Sequence, residues 1–300
     1  EWKCIELAFH EYALLIFPGQ FLSDTAQVAF AKRFGDKCEY EDVQFGNRLI
    51  KKGEVQSIDL ESLRHKVVEN GTRMDNFGKM QLGTQFWHSD STYTQVSAKA
   101  GILSARSVPP NGGGTGFADM RAAYDALEDG MKERLQGLRA YHSNLYSEAN
   151  DVSNFPSPSE DNYTFHRRAY LRPLVKVHPV SRRRSLQIGR HAFGIPGLSP
   201  EASGQLLKGL VEFACQGARV YEHSYRVGDL VIWDNRCLLH RSLPYDFSQP
   251  RNLRGTRVSG DPKTEGAIET PDLGAKVLEE EMRRLRTCHG LSPAPLRSAL

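Results

Sequence analysis

The sequence predicts a mainly β fold with flanking helices, built around a double-sheeted jelly-roll core. Three observations carry that prediction: many apolar runs of strand length, glycine- and proline-rich turns between them, and two or three stretches with helical periodicity. At 300 residues, 39% of them hydrophobic, the chain suits one large domain with a sizeable core.

The elements follow in order. Tyr12–Phe17, closed by Pro18-Gly19, reads as a buried strand and turn. Ser23 and Asp24 cap a helix through Val28 and Phe30 that stops at Gly35. Residues 36–84 are polar and aperiodic, apart from a short strand around Val55–Leu60. Ala98–Val108 is a second strand, ended by Pro109-Pro110 and the tight turn Asn111–Gly114. No Gly-Lys-Ser/Thr follows those glycines, so they do not form a phosphate loop. Asp119 caps one helix whose apolar stripe runs Met120, Tyr124, Leu127, Met131, Leu135, Leu138. Leu174–His178 and Ser185–Gly189 are paired strands with Arg182–Arg184 at a solvated tip. Ser199-Pro200-Glu201 opens a helix continued by Leu206, Leu210 and Phe213. Val227–Trp233 is a turn and strand, and Leu253–Val258 is the last strand.

Residues 1–261 are therefore expected to form one domain, with 262–300 an appended helical extension carrying Leu278, Met282 and Leu285. That extension packs on the surface or joins a homo-oligomer contact. Two polar stretches, 61–84 and 142–163, are expected as mobile lids.

Bulk properties exclude several function classes. With 39 basic and 36 acidic residues the net charge is only +3, too balanced for a nucleic-acid footprint. No apolar run approaches the roughly 20 residues of a membrane span. The five cysteines (Cys4, Cys38, Cys215, Cys237, Cys288) never form Cys-x-x-Cys, which points to reduced thiols and a cytoplasmic protein.

The chemistry is concentrated in two stretches, Gln85–Asp90 and Val231–His240. In an extended backbone His88 and Asp90, two apart, share a face. A histidine from a distant strand, His240, would complete two imidazoles and one carboxylate on a metal. Such a face with open positions marks non-haem Fe(II) oxygenases, although zinc also accepts these ligands. A His-Asp pair can equally be a satisfied core hydrogen bond.

The motifs around these residues narrow the choice. Trp87-His88-Ser89-Asp90, Pro109-Pro110 through Gly112-Gly113 to Thr115, Trp233-Asp234-Asn235-Arg236 leading to His240, and Arg251 eleven residues later occur in order. From about Tyr12 to Asp261 the chain resembles the Fe(II)/2-oxoglutarate-dependent dioxygenases of the taurine dioxygenase and aryloxyacetate-herbicide dioxygenase type. The resemblance implies a double-stranded β-helix with Fe(II) on His88, Asp90 and His240. It further implies 2-oxoglutarate and O2 as co-substrates, succinate and CO2 as products, and oxidation of a C–H bond in a small molecule. Arg251 and Thr115 match the pair that holds the remote carboxylate of 2-oxoglutarate, with Arg254 and Arg257 as competing assignments. His191, 49 residues before His240, falls on a pocket-lining aromatic position. With Thr84 and Arg257 it forms the expected substrate contacts. Trp87, Trp233 and Asp234 are expected to support the site, and Cys237 to pack as a small apolar residue. His10, His65, His142, His166, His178, His223 and His289 have no partner spacing and receive no role.

One departure bears on the substrate. The family type carries a second inward arginine four residues after the first, and here that position is Gly255. Strand alternation puts Arg251, Leu253, Gly255 and Arg257 on one face and Arg254 on the other. The expectation is a substrate other than a simple sulfonate, an amino-acid-derived or natural-product intermediate held by hydrogen bonds. The alternatives are a dioxygenase that scavenges sulfonates or aryloxyalkanoates and, in another class, a non-catalytic jelly-roll binding protein.

Overall fold

The computed structural model describes residues 1–35, 43–45, 48–50, 56–57, 82–155, 167–268 and 273–291. The described strands are β1 (Leu14–Phe17), β2 (Val43–Phe45), β3 (Arg48–Ile50), β4 (Gln56–Ser57), β5 (Ala98–Ser107), β6 (Thr115–Asp119), β7 (Arg139–His142), β8 (Tyr170–Pro173), β9 (Val175–Val177), β10 (Arg184–Leu186), β11 (Ala192–Phe193), β12 (Val220–His223), β13 (Leu230–Asp234), β14 (Leu238–Ser242) and β15 (Asn252–Ser259). The largest sheet has the order β1-β13-β5-β15-β4. Two three-stranded sheets, β12-β6-β14 and β11-β7-β8, and the pairs β10-β9 and β2-β3 complete the described strands. All of these pairings are antiparallel.

Alternation along the central strands sets the layers. Leu230 and Ile232 of β13, with Ala100 and Ile102 of β5 and Val258 of β15, pack against Phe9, Ala31 and Phe34 from the N-terminal helices. The residues between them, Val231 and Trp233, turn the other way and join Phe117, Tyr225, Leu238 and Leu253. One face of the large sheet is thus sealed by helices Trp2–Tyr12 and Asp24–Ala31, and the opposite face looks onto β6 and β14. Gln27 docks the second helix: its Nε2 donates to Arg254 O (2.8 Å) and its Oε1 accepts from Ser104 Oγ (2.6 Å). A further core lies under helix Pro200–Ala214, where Leu206, Leu207 and Leu210 meet Met120, Leu135 and Leu239.

Several expected elements differ in detail. The strand at Tyr12–Phe17 starts at Leu14, because Tyr12 ends a helix closed by Ala13 at φ 62°. The helix after Ser23 ends at Ala31, short of Gly35, although Ser23 caps it as expected. The single helix after Asp119 is two, Met120–Asp125 and Asp129–Leu135, with Leu127 buried in the break. The stretch 142–163 is not a loop over its described part. His142 ends β7, and Asn144–Val152 is a helix capped by Ser143 with Leu145, Ser147, Glu148 and Ala149 buried. The other expected lid, 61–84, lies outside the described residues except for 82–84, as do His65, His166 and Cys38.

The Arg182–Arg184 tip is anchored, with Arg183 on Asp125 and Arg184 on the Tyr124 hydroxyl (3.1 Å). Beyond residue 261, Glu265 is buried and bound by Lys176 Nζ (3.0 Å), while Leu278 of helix Leu273–Cys288 packs with Tyr141, Leu145 and Phe193. Cys4, Cys215, Cys237 and Cys288 are free thiols. Among the described residues no helix is long and apolar enough to cross a membrane.

Candidate metal centre and co-substrate pocket

His88 and His240 are 152 positions apart in sequence but directly opposite in space. Each backbone N–H donates to the other's carbonyl, His88 N to His240 O at 3.0 Å and His240 N to His88 O at 2.8 Å. Residues that exchange both bonds in an antiparallel bridge project their side chains to the same side. The two rings accordingly lie 4.2 Å apart between centroids. The expected extended run through Asp90 stops at this bridge. Asp90 sits in a turn, and Ser91 at φ 55° reverses the chain.

What holds Asp90 in place is Asn235. Its Oδ1 accepts from Asp90 N (2.8 Å), and its Nδ2 donates to Asp90 O (2.9 Å) and Ala98 O (3.0 Å). The Asn235 carbonyl accepts from Ser89 Oγ (2.7 Å). The amide side chain therefore pairs with both backbone groups of Asp90, as a neighbouring strand would.

The three side chains meet. Ligand atoms of His88, Asp90 and His240 all lie within 4.8 Å of one another, with His240 Nε2 3.7 Å from Asp90 Oδ2. His88 Nδ1–H donates to Phe86 O (2.8 Å), which fixes the tautomer and leaves Nε2 as a lone pair. Burial lowers the His88 pKa to about 3 and also lowers that of His240. Burial alone would raise the Asp90 pKa, but Arg257, His240 and His88 outweigh it and hold the carboxyl below its usual range. Neutral imidazoles beside an ionised carboxylate are the state a divalent metal needs. The donor set fits iron(II).

Arg257 Nη2 donates to Asp90 Oδ1 at 2.8 Å. The guanidinium occupies one carboxylate oxygen while the other faces His240. Arg257 lies on the inward face of β15 with Leu253, and the Thr256 hydroxyl meets Gln27 on the other face, as the alternation predicts.

Further along the inner face, Thr115 at the start of β6 is buried and shares a hydrogen bond with the Tyr225 hydroxyl (3.0 Å). Arg251 Nε donates to Gly113 O (2.7 Å), and its guanidinium lies over the Tyr245 ring at 5.4 Å. No carboxylate among the described residues pairs with its terminal nitrogens. Gly112 and Gly113, at φ 72° and 68°, make the turn that brings this carbonyl to Arg251.

His191 is buried between the centre and helix Asn144–Val152. Its ring lies 4.7 Å from Tyr93 and 6.0 Å from His88. Ser147 Oγ is 2.8 Å from His191 Nδ1 and donates to Asn144 O at 2.9 Å. A hydroxyl has one proton, so both contacts are met when Nδ1–H donates to Ser147 and Nε2 carries the lone pair. Burial and Arg190 keep the ring neutral, with its pKa well below the usual value. Thr84 Oγ1 donates to Ser242 Oγ (3.0 Å), two residues past His240.

The remaining supports behave as packing. Trp233 contacts His240 at 4.7 Å between rings, Trp87 carries the Arg241 guanidinium at 4.6 Å, and Cys237 is buried. His10 and His178, given no role from spacing, gather with Asp234 as a second His/Asp cluster. It does not suit a metal. His178 Nδ1 accepts from Ser181 N (3.0 Å), its Nε2 donates to Asp234 Oδ2 (3.0 Å), and Arg236 occupies both Asp234 oxygens (2.8 and 2.6 Å). The network braces the turn that carries Asn235.

Sequence reasoning missed Asn235, Tyr225 and Ser147 as hydrogen-bond partners of Asp90, Thr115 and His191. Asn235 stood inside a recognised motif and could have been found there. Tyr225 and Ser147 carry no local signal.

The fold and the His88–Asp90–His240 cluster, which could hold a metal ion, suit one class of enzyme, and the comparisons agree. Residues 2–257 match the family described as "Taurine catabolism dioxygenase TauD, TfdA family". The chain belongs to that family and is a non-haem Fe(II)/2-oxoglutarate-dependent dioxygenase. It is 45% identical over 270 residues, 89% of each chain, to the (S)-phenoxypropionate/alpha-ketoglutarate-dioxygenase of Sphingobium herbicidovorans. It is 42% identical to the alpha-ketoglutarate-dependent 2,4-dichlorophenoxyacetate dioxygenase of Cupriavidus pinatubonensis, over 87% of this chain and 89% of that one. Among solved structures, AAD-2 in complex with Mn(II) and N-oxalylglycine superposes with a TM-score of 0.71 at 35% identity, covering 89% of each chain.

Proposed function

We propose that the protein oxidises a C–H bond of a small organic acid of the aryloxyalkanoate class. In this reading His88, Asp90 and His240 hold the iron, and Thr115 and Arg251 hold the remote carboxylate of 2-oxoglutarate. The large sheet and the β12-β6-β14 sheet form the two halves of a double-stranded β-helix around them. Free thiols fit the cytoplasmic location that belongs to the same reading. The observation that carries the oxygenase reading is the reciprocal His88–His240 bridge with Asp90 clamped beside it, and the 45% identity to the (S)-phenoxypropionate enzyme supports the substrate class.

When bound, iron(II) with 2-oxoglutarate and O2 supplies the oxidant and yields succinate and CO2. The protein's own part is placement. Phe86 O fixes the His88 tautomer, Arg257 fixes one oxygen of Asp90, and Asn235 fixes the backbone between them. Arg251 and Thr115 set the depth at which the 2-oxo acid enters. Arg257, which holds Asp90 Oδ1, belongs to the proposed substrate end of the site. Thr84 and His191 complete the proposed substrate wall.

A second reading, an amino-acid-derived or natural-product intermediate, is favoured by two particular observations. Gly255 offers no cation, and the bare Nε2 of His191 asks for a substrate O–H or N–H, which an aryloxyalkanoate carboxylate lacks. A non-catalytic binding protein does not stand beside the family membership.

The experiment is a screen for substrate-triggered 2-oxoglutarate decarboxylation with Fe(II). The panel holds both phenoxypropionate enantiomers, 2,4-dichlorophenoxyacetate, taurine, and hydroxylated or amino-bearing acids. Turnover of an aryloxyalkanoate with equimolar succinate supports the first reading. Selective turnover of the hydrogen-bonding acids supports the second, and efficient taurine turnover contradicts both.

A further inference from the structure

The inner end of β6 carries more hydrogen-bonding capacity than the described residues satisfy. Thr115 Oγ1 and the Tyr225 hydroxyl lie 3.0 Å apart, both residues buried. Two hydroxyls carry two protons. One lies in the bond between them, and the other has no acceptor among the described residues. Beside them is the Arg251 guanidinium, tethered by Nε to Gly113 O and meeting no carboxylate at its terminal nitrogens. The Tyr245 ring lies 5.4 Å from that guanidinium. A spare hydroxyl proton and an unanswered cation at one spot are short of one anion.

We propose that Tyr225 is a positioning residue for the remote carboxylate of 2-oxoglutarate, acting by fixing the direction of the Thr115 hydroxyl. The inference rests on the assignment of Thr115 and Arg251 to that carboxylate. A phenol is a stronger acid than an aliphatic alcohol, so Tyr225 O–H donates to Thr115 Oγ1. The Thr115 proton is then left to point at the carboxylate beside Arg251. Burial pushes the Tyr225 pKa up to about 12, so the phenol keeps the proton it must donate. Without Tyr225 the threonine hydroxyl is a free rotor that must be ordered each time the co-substrate binds.

The test compares two 2-oxo acids on the Mn(II)-loaded protein, in which binding is measured by calorimetry without turnover. 2-Oxoglutarate has the remote carboxylate, and 2-oxobutyrate keeps the chelating head without it. Tyr225→Phe removes only the hydroxyl. The expected result is roughly threefold weaker 2-oxoglutarate binding, since one of three staggered hydroxyl positions must then be selected on binding. Binding of 2-oxobutyrate is expected to stay unchanged. In a Thr115→Val background the same substitution is expected to add little, because the effect passes through Thr115. Equal weakening of both acids, additivity with Thr115→Val, or no change overturns the proposal. Arg251→Gln separates it from its premise. If that variant leaves the preference for 2-oxoglutarate intact, the clamp assignment itself fails. If it abolishes the preference while Tyr225→Phe does nothing, only the role of Tyr225 fails.

Discussion

Replacing Asn235 with alanine is expected to damage the metal site without touching a ligand. The side chain gives Asp90 its only backbone partners among the described residues, through Asp90 N (2.8 Å) and Asp90 O (2.9 Å), and adds a bond to Ala98 O (3.0 Å). Asn235 and Asp90 are buried, so water does not readily replace the lost amide. Leaving a buried donor or acceptor unmet costs about 1–3 kcal/mol, and with the two Asp90 groups the loss is about 2–6 kcal/mol. Domain stabilities of about 5–15 kcal/mol leave the variant folded. Loss of a residue that orients a ligand lowers metal affinity by roughly 10- to 100-fold. Asn235→Asp keeps the shape but sets a carboxylate oxygen against the carbonyls of Asp90 and Ala98, and is expected to be at least as harmful. The assays are Mn(II) titration and urea unfolding of the metal-free protein. Metal affinity within about twofold of the parent, in a folded Asn235→Ala protein, refutes the role.

Three further outcomes are expected. Arg251→Gln should raise the KM for 2-oxoglutarate by roughly 10- to 150-fold, a charged hydrogen bond of about 1.5–3 kcal/mol, with little change in the KM for the prime substrate. An unchanged KM moves the assignment to another arginine. His142 is fully buried with neither ring nitrogen bonded among the described residues, and burial lowers its pKa to about 3. Its folded pKa lies below the unfolded value near 6.5, so its share of stability is intact above pH 6.5 and falls with acid by roughly 1.4 kcal/mol per pH unit. Urea unfolding at pH 7.5 and 5.0 should show His142→Phe losing about 2 kcal/mol less than the parent, and equal losses contradict this. Gly101 faces Trp233 across β5 and β13, where an added Cβ would lie 2.1 Å from the indole. Gly101→Ala should therefore displace the ring that packs on His240 and destabilise the protein by about 1–3 kcal/mol, read by thermal unfolding.

Legibility in the sequence followed the kind of force at work. Strand-length segments set between turn residues, such as β5, β13 and β15, were readable, and so was the inward face that carries Arg257. His88, Asp90 and His240 come together as the motif spacing suggested, even where the backbone differs. The extended geometry assumed for Asp90 was wrong, yet the carboxylate arrives through a turn and Asn235. The helix Asn144–Val152 was read as part of a lid because the stretch is rich in polar residues. It buries polar Asn144, Ser147 and Glu148 beside Leu145 and Ala149, with Glu148 and Asp151 gripping Arg190 at 2.9 and 2.8 Å. Charge pairing of that kind leaves no periodic trace. Tyr225 and the His10–His178–Asp234 cluster depend on contacts between distant segments, which no local pattern encodes.

The most direct measurement of the central claim is a crystal structure of the protein with Mn(II) and 2-oxoglutarate, grown without oxygen. The expected result is one metal per chain with His88 Nε2, His240 Nε2 and one Asp90 oxygen at roughly 2.0–2.2 Å, and the remote carboxylate of 2-oxoglutarate on Arg251 and Thr115. A metal held elsewhere, or held without His240, contradicts the account.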